Sequence, residues 1–186
     1  SFPPRWGLVA PAEIERVDVL YGPYSAAYPD NSLGAVVDYT TRMPTRLEGH
    51  AQVGTWVQPF DLDGTQATYR SWQTSTALGS RAGDWSWRLD LNRLDSEGQP
   101  LTFATRAVAA GSAAAGGVPV TGAVRGTNSA GQPWWVLGSG TQYATRQDQL
   151  KAKLAYDFSP TLRASYTLGW WDNTASGQPA SWLRNA

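Results

Sequence analysis

The chain has 186 residues, 41% of them hydrophobic and 16% charged, which is enough apolar content to bury a core and argues against disorder. Fifteen basic residues balance fifteen acidic ones, so there is no electrostatic footprint for nucleic acid, and the lack of cysteine excludes disulfides and thiolate metal sites within the chain. Ten Trp and eight Tyr fit a boundary between apolar and wet surroundings, where amphipathic rings settle, although a Trp-rich soluble β-protein has the same totals.

Residues 1–13 open on Ser1-Phe2-Pro3-Pro4, with neither an initiator Met nor a basic-then-apolar leader, and read as an irregular approach to the first strand. The chain is expected to be a piece of something longer. From Ile14 the pattern alternates, with Ile14, Arg16, Asp18 and Leu20 on one parity and Glu15, Val17, Val19 and Tyr21 on the other, until Gly22-Pro23 stops it. Pro23 presets φ for a helical turn, so residues 24–28 predict one short helix closed by Pro29-Asp30-Asn31. A second strand, 35–41, follows Gly34. Met43-Pro44 ends it, because Pro44 cannot donate to a ladder, and a domain boundary is expected there.

Taken in order, Val19-Leu20-Tyr21-Gly22-Pro23, Ser25-Ala26-Ala27-Tyr28 and Gly34-Ala35-Val36-Val37-Asp38-Tyr39-Thr40-Thr41-Arg42 resemble the end of the plug domain of TonB-dependent outer-membrane receptors. The specificity lies in the ordered combination, since a lone Gly-Pro would mean nothing. Tyr21 stands where that family usually has a basic residue, Pro29-Asp30 where it has a glycine, Ala35 for its second glycine and Asp38 for its asparagine. The resemblance implies that residues 1–44 are the C-terminal part of a plug and 45–186 the N-terminal strands of an outer-membrane β-barrel. It also implies that Glu15 and Arg16 occupy positions where the plug meets the inner barrel wall.

Beyond residue 49 the sequence reads as successive two-faced strands without an amphipathic helix. Residues 50–58 alternate, the stretch Asp61-Leu62-Asp63-Gly64 predicts a turn, and 66–79 alternate more weakly. A glycine-rich turn at 79–84 leads to the clearest strand, with Trp85, Trp87, Leu89 and Leu91 facing one way and Ser86, Arg88, Asp90 and Asn92 the other. A last pair repeats the pattern. Leu150, Ala152, Leu154, Tyr156 and Phe158 oppose Lys151, Lys153 and Asp157. After Ser159-Pro160-Thr161, Leu162, Ala164, Tyr166, Leu168 and Trp170 oppose Arg163, Ser165 and Thr167.

Connections alternate in length, as they do in outer-membrane barrels with short periplasmic turns and long outer loops. If the turns at 79–84 and 159–161 lie on the periplasmic side, segments 58–65, 97–146 and 172 onward all lie outside, a self-consistent assignment. Within the longest of these, Ala, Gly and Val dominate 107–124, which reads as a mobile low-complexity loop before Trp134-Trp135. The expected fold is therefore mostly β: the end of an α/β plug domain followed by antiparallel strands of a large transmembrane β-barrel of about 22 strands, incomplete in this chain. An open sheet with two unpaired edges is not expected to fold alone in lipid.

Nothing in the sequence supports catalysis, a cofactor or a metal. His50 is the sole histidine and reads as a surface or lumen residue, and Asp61, Asp63 and Gly64 form a polar turn rather than a calcium loop. Arg88, Asp90, Lys151, Lys153 and Arg163 are candidate inward-facing partners for the plug, with simple solvated charge as the competing interpretation. Trp56, Trp134 and Trp135 are candidate ligand contacts from the outer loops. The resemblance implies energised uptake of a scarce, large ligand such as an iron-siderophore complex across the outer membrane of a Gram-negative bacterium. The implied partners are outer-membrane lipid and a TonB-type energy-coupling complex, the latter engaged through a more N-terminal segment. Two other readings remain open on the residues: a passive porin or adhesin barrel, and a soluble carbohydrate-binding β-module. No apolar run is long enough for a transmembrane helix.

Overall fold

The structure is a computed structural model and describes residues 9–21, 35–108 and 117–186. The turn at Gly22-Pro23 and the short helix expected at 24–28 lie outside the described residues, as do residues 109–116 of the low-complexity stretch. What is described is mostly β. None of its helices is long and apolar enough to cross a membrane, which says nothing of crossing by strands.

A 3-10 turn, Pro11–Glu13, leads into β1 (Ile14–Tyr21), which pairs antiparallel with β2 (Ala35–Thr41). Val17 faces Tyr39 and Val19 faces Val37. Between Ile14 and Arg16 the first strand advances by two residues against one on its partner, which makes Glu15 a bulge.

The main sheet has five strands in the order β11-β10-β5-β4-β3. These are β3 (Glu48–Leu62), β4 (Thr65–Ala82), β5 (Trp85–Glu97), β10 (Tyr143–Ser159) and β11 (Leu162–Gly177). Three hairpins join them through the dipeptides Asp63-Gly64, Gly83-Asp84 and Pro160-Thr161, so each such pair is antiparallel. Asp63 and Gly64 both have positive φ, 50° and 81°, the backbone of a type I′ turn. Gly83 alone is positive in the second, at 60°, as in a type II′ turn. The connection expected over 58–65 thus narrows to two residues, because β3 and β4 both run further than their alternation suggested.

Between β5 and β10 the sequence suggests one long outer segment containing a low-complexity loop over 107–124, and the described part is largely strand. That part holds β6 (Phe103–Ala107), β7 (Val120–Thr121), β8 (Val124–Thr127) and β9 (Pro133–Ser139). Strand β9 is central, with β6 along one side and β8 and β12 (Ala180–Ser181) sharing the other, while β13 (Arg184–Asn185) pairs with β7. These strands are only two to seven residues long and, apart from the β8–β9 hairpin, form through nonlocal pairing, so no extended alternation announces them.

The chain divides into two compact units. One contains the β1–β2 hairpin with residues 35–53, 73–93 and 147–172, and the other residues 54–72, 94–146 and 173–186. In the first, the buried positions are largely polar: Glu13, Ser86, Arg88, Asp90, Gln149 and Lys151, beside Ala10, Ala77 and Ala155. Pro44 is fully buried and lies against Gly79 of β4, where a Cβ would come within 2.7 Å of the proline ring and 2.8 Å of the Trp87 carbonyl. Close approach, rather than backbone conformation, is what requires glycine at that position.

Candidate functional site

The site is a cluster of charges built where the chain before β1 meets the polar side of β5 and β10. Pro11 starts the 3-10 turn and the Ala10 N–H donates to Glu13 Oε1 at 2.9 Å, so the carboxylate caps its own turn. The Glu13 carbonyl accepts from the Arg42 N–H at 3.0 Å, which ties the turn to the end of β2. Glu13 itself is wholly buried, with 0% of its surface exposed. Lys151 donates to Oε1, and the Lys153 ammonium lies 2.8 Å from Oε2 and donates to Thr41 Oγ1 at 2.6 Å. The two lysines share one side of β10 because successive side chains alternate faces.

A second group adjoins the first. Arg88, buried on β5, forms a forked pair with Asp90: Nε lies 3.0 Å from both carboxylate oxygens and Nη2 lies 2.8 Å from Oδ1. Its Nη2 also donates to the Ala12 carbonyl at 3.2 Å, and its Nη1 lies 3.6 Å from Glu48. Arg42 reaches the same Glu48 at 3.1 Å. Residues 12–13 and 41–42 are thus held by β5, β10 and the start of β3 through ionic and hydrogen bonds. Burial pushes the Glu13 carboxyl up, but hydrogen bonds from Lys151, Lys153 and Ala10 outweigh it and hold the group below the ordinary carboxylate range.

Of the residues singled out from sequence, Arg88, Asp90, Lys151 and Lys153 come together here. Glu15 and Arg16 are exposed on β1, and Arg16 pairs with Asp18 at 2.8 Å. Arg163 lies apart, near the Pro160-Thr161 turn, where it pairs with Asp157 at 2.8 Å while Arg81 approaches the same carboxylate at 2.8 Å. Glu13, the centre of the cluster, carries no sequence signal of its own. It stands before the first alternating strand, and its lysines lie 138 and 140 residues further along.

The opposite face is apolar and open. Trp85 (49%), Leu91 (44%), Leu154 (44%), Phe158 (62%) and Tyr166 (67%) are exposed, while on the polar face of the same strand Ser86, Arg88 and Asp90 retain at most 4%. The Trp85 and Tyr156 rings lie 4.7 Å apart, and Tyr156 and Phe158 meet edge to face at 4.7 Å, an aromatic cluster beside two short turns.

In the other unit, Trp56 is half exposed on β3. Trp134 and Trp135 are consecutive on β9 and therefore face opposite ways: Trp135 is exposed, whereas Trp134 packs at Gly126, where an added Cβ would lie 2.9 Å from the indole nitrogen. Among the described residues no group of three His, Cys, Asp or Glu could hold a metal.

No protein-family model matches the chain, and no solved structure matches it. Over 57 residues, 30% of the chain, it is 42% identical to the ferric enterobactin receptor PirA of Pseudomonas aeruginosa, of which the matched stretch spans 8%.

Proposed function

We propose that this chain is part of a TonB-dependent outer-membrane receptor, with residues 1–44 ending the plug and 45–186 supplying the N-terminal strands of its barrel. The observation that carries the reading is the inverted strand: β5 buries Ser86, Arg88 and Asp90 and leaves Trp85 and Leu91 open. In water that arrangement is doubly unfavourable, because it strips charge of solvent and exposes apolar surface. In a membrane wall it is the expected one, with lipid on the apolar side and a plug on the polar side. A soluble carbohydrate-binding module would bury the opposite parity. A passive porin would have no use for the ionic seat that β5 and β10 offer to Ala12, Glu13 and Thr41.

On this reading Glu13, Arg88, Asp90, Lys151 and Lys153 join plug to wall, and Trp135 faces the outside. Glu15, Arg16 and Arg163 would meet parts of the receptor beyond this chain. The likeness to a ferric siderophore receptor supports an iron-siderophore complex as ligand and an inner-membrane energy-coupling complex as partner. Ligand would bind the outer surface first, and the coupling complex would then pull on the plug to open a path. The test is transport in cells carrying the intact protein. Collapse of the proton-motive force should abolish uptake of ferric siderophore and leave binding intact, and uptake that persists would refute the proposal.

A further inference from the structure

On the apolar face of the main sheet, three neighbouring strands change character together. Strand β5 presents Trp85, Trp87, Leu89 and Leu91 and then, on the same parity, Arg93. Strand β10 presents Asp148 just before Leu150, and β11 presents Trp170 and then Asp172. Arg93 Nη1 lies 3.6 Å from Asp148 Oδ1, which sets the changeover on β5 level with that on β10. A groove of about 230 Å³ opens at this level, and Thr74, Leu91, Arg93, Asp148, Leu150 and Trp170 line it.

The two ends of the groove differ in chemistry. At one end Leu91 (44%) and Trp170 (56%) are open, and the apolar parity of β10 runs on from Leu150 through Leu154 to Tyr156, a track of about 20 Å at about 3.3 Å per residue. The other end is charged and loosely matched. The contact of Arg93 with Asp148 is too long for a hydrogen bond, and the two side chains are 46% and 29% exposed. Arg88 and Asp90, by contrast, close into a fork at 2.8–3.0 Å. A guanidinium has five N–H donors and a carboxylate two acceptor oxygens, so Arg93 and Asp148 both keep capacity for a further partner. With Asp172 included, this end carries one cation and two anions, which disfavours a purely anionic ligand.

We propose that the groove binds one zwitterionic phospholipid of the phosphoethanolamine type, with its phosphate on Arg93, its ammonium against Asp148 and Asp172, and its acyl chains along Leu91, Leu150 and Trp170. The inference rests on the receptor reading above, which puts lipid against this face, and adds to it a fixed seat for one headgroup class. A guanidinium holds phosphate oxygens at two points, and a primary ammonium donates to carboxylates. The Trp170 ring suits the level where apolar and wet surroundings meet. A lipid with phosphate and no ammonium leaves the carboxylates unmatched, and diacylglycerol retains only the apolar contact.

The experiment titrates the intact receptor in uncharged detergent with phosphatidylethanolamine, phosphatidylglycerol or diacylglycerol and counts retained lipid by native mass spectrometry. One phosphatidylethanolamine should be held with about tenfold preference over the other two, the worth of one charge-assisted contact. Arg93→Ala and Asp148→Ala should each remove that preference, with Arg93→Lys intermediate because it keeps charge and loses the fork. Trp170→Ala should weaken all three lipids alike, and Arg184→Ala, an exposed arginine outside the groove, should change nothing. Circular dichroism establishes that each variant has folded. Equal retention of the three lipids, preference for phosphatidylglycerol, or a preference that survives in folded Arg93→Ala and Asp148→Ala variants overturns the headgroup seat and leaves the receptor reading standing. An intact protein that stays soluble without detergent and retains none of the three overturns both.

Discussion

The Glu13 carboxylate lies 2.8 Å from the Lys153 ammonium with no part of its own surface open to solvent, and Lys151 two residues earlier on β10 holds its other oxygen. One anion is therefore shared between two cations that are themselves nearly buried, at 8% and 11% side-chain exposure. Such a pairing is poor in net stability and severe when broken, because removing one member strands the others without solvent.

Glu13→Ala should therefore weaken the docking of the chain before β1 by about 3–5 kcal/mol, the usual cost of breaking a buried ion pair. Hydrogen exchange in the intact protein is the check. Protection over residues 9–14 should fall while that of β4 and β5 holds. Replacing Glu13, Lys151 and Lys153 together with Met should recover much of the loss, since none of the three is then left as a buried charge without its partner.

The same contact has a defined response to acid. The Glu13 carboxyl is held below its ordinary value of 4.5, so the folded state favours the ionised form more than the unfolded chain does. Its stabilising contribution is complete above that ordinary value and disappears as pH falls through the lower, folded one. Exchange protection at residues 9–14 should stay flat from neutrality to about pH 5 and decline only below about pH 4.5 in the wild type. In Glu13→Gln the acid-dependent decline should vanish.

The exposed apolar face predicts a depth-dependent penalty. Leu154 lies midway along the apolar parity of β10, and Phe158 lies beside the turn. On the receptor reading proposed above, Leu154→Arg should destabilise the intact protein by about 2–4 kcal/mol and Phe158→Arg by at most about 1 kcal/mol. Urea titration of the intact protein in vesicles measures both. Equal penalties at the two positions would contradict a bilayer spanning this face.

Gly79→Val tests the close packing of the segment between β2 and β3. Its Cβ would fall 2.7 Å from the Pro44 ring and 2.8 Å from the Trp87 carbonyl, and backbone cannot yield as a flexible side chain can. A loss of about 1–3 kcal/mol is expected from overpacking, read as a lower urea midpoint. Gly83→Ala lies in open space but has φ of 60°, so its smaller loss would come from backbone strain at a turn.

The five long strands were legible because each keeps a two-residue alternation, weaker over 66–79 and plainest from Trp85 to Asn92. The parity that meets polar surroundings was legible too, since charge and aromatic residues separate cleanly on β5 and β10. The small sheet was not. Strands β6 to β9 lie in the segment 97–146, expected as one long outer loop, and pairing defines them: β6 and β8 with β9, and β7 with β13. The β6–β9 pairing includes an irregularity between Ala104 and Thr105 that leaves Leu137 unmatched and interrupts any simple period. Glu13 was invisible for a different reason. Its burial is decided by lysines of a distant strand, whereas Glu15 and Arg16, which a local motif highlights, are exposed on β1.

The contact between Glu13 and Lys151 joins positions 138 residues apart. Closing so long a span is entropically unfavourable until the intervening strands have already shortened the distance. The N-terminal segment can lean on β5 early, through Ala12 and Arg88, but its buried carboxylate has no cation until the fourth long strand arrives. On the receptor reading proposed above, any agent that delays β10 would leave the cork out of the bottle.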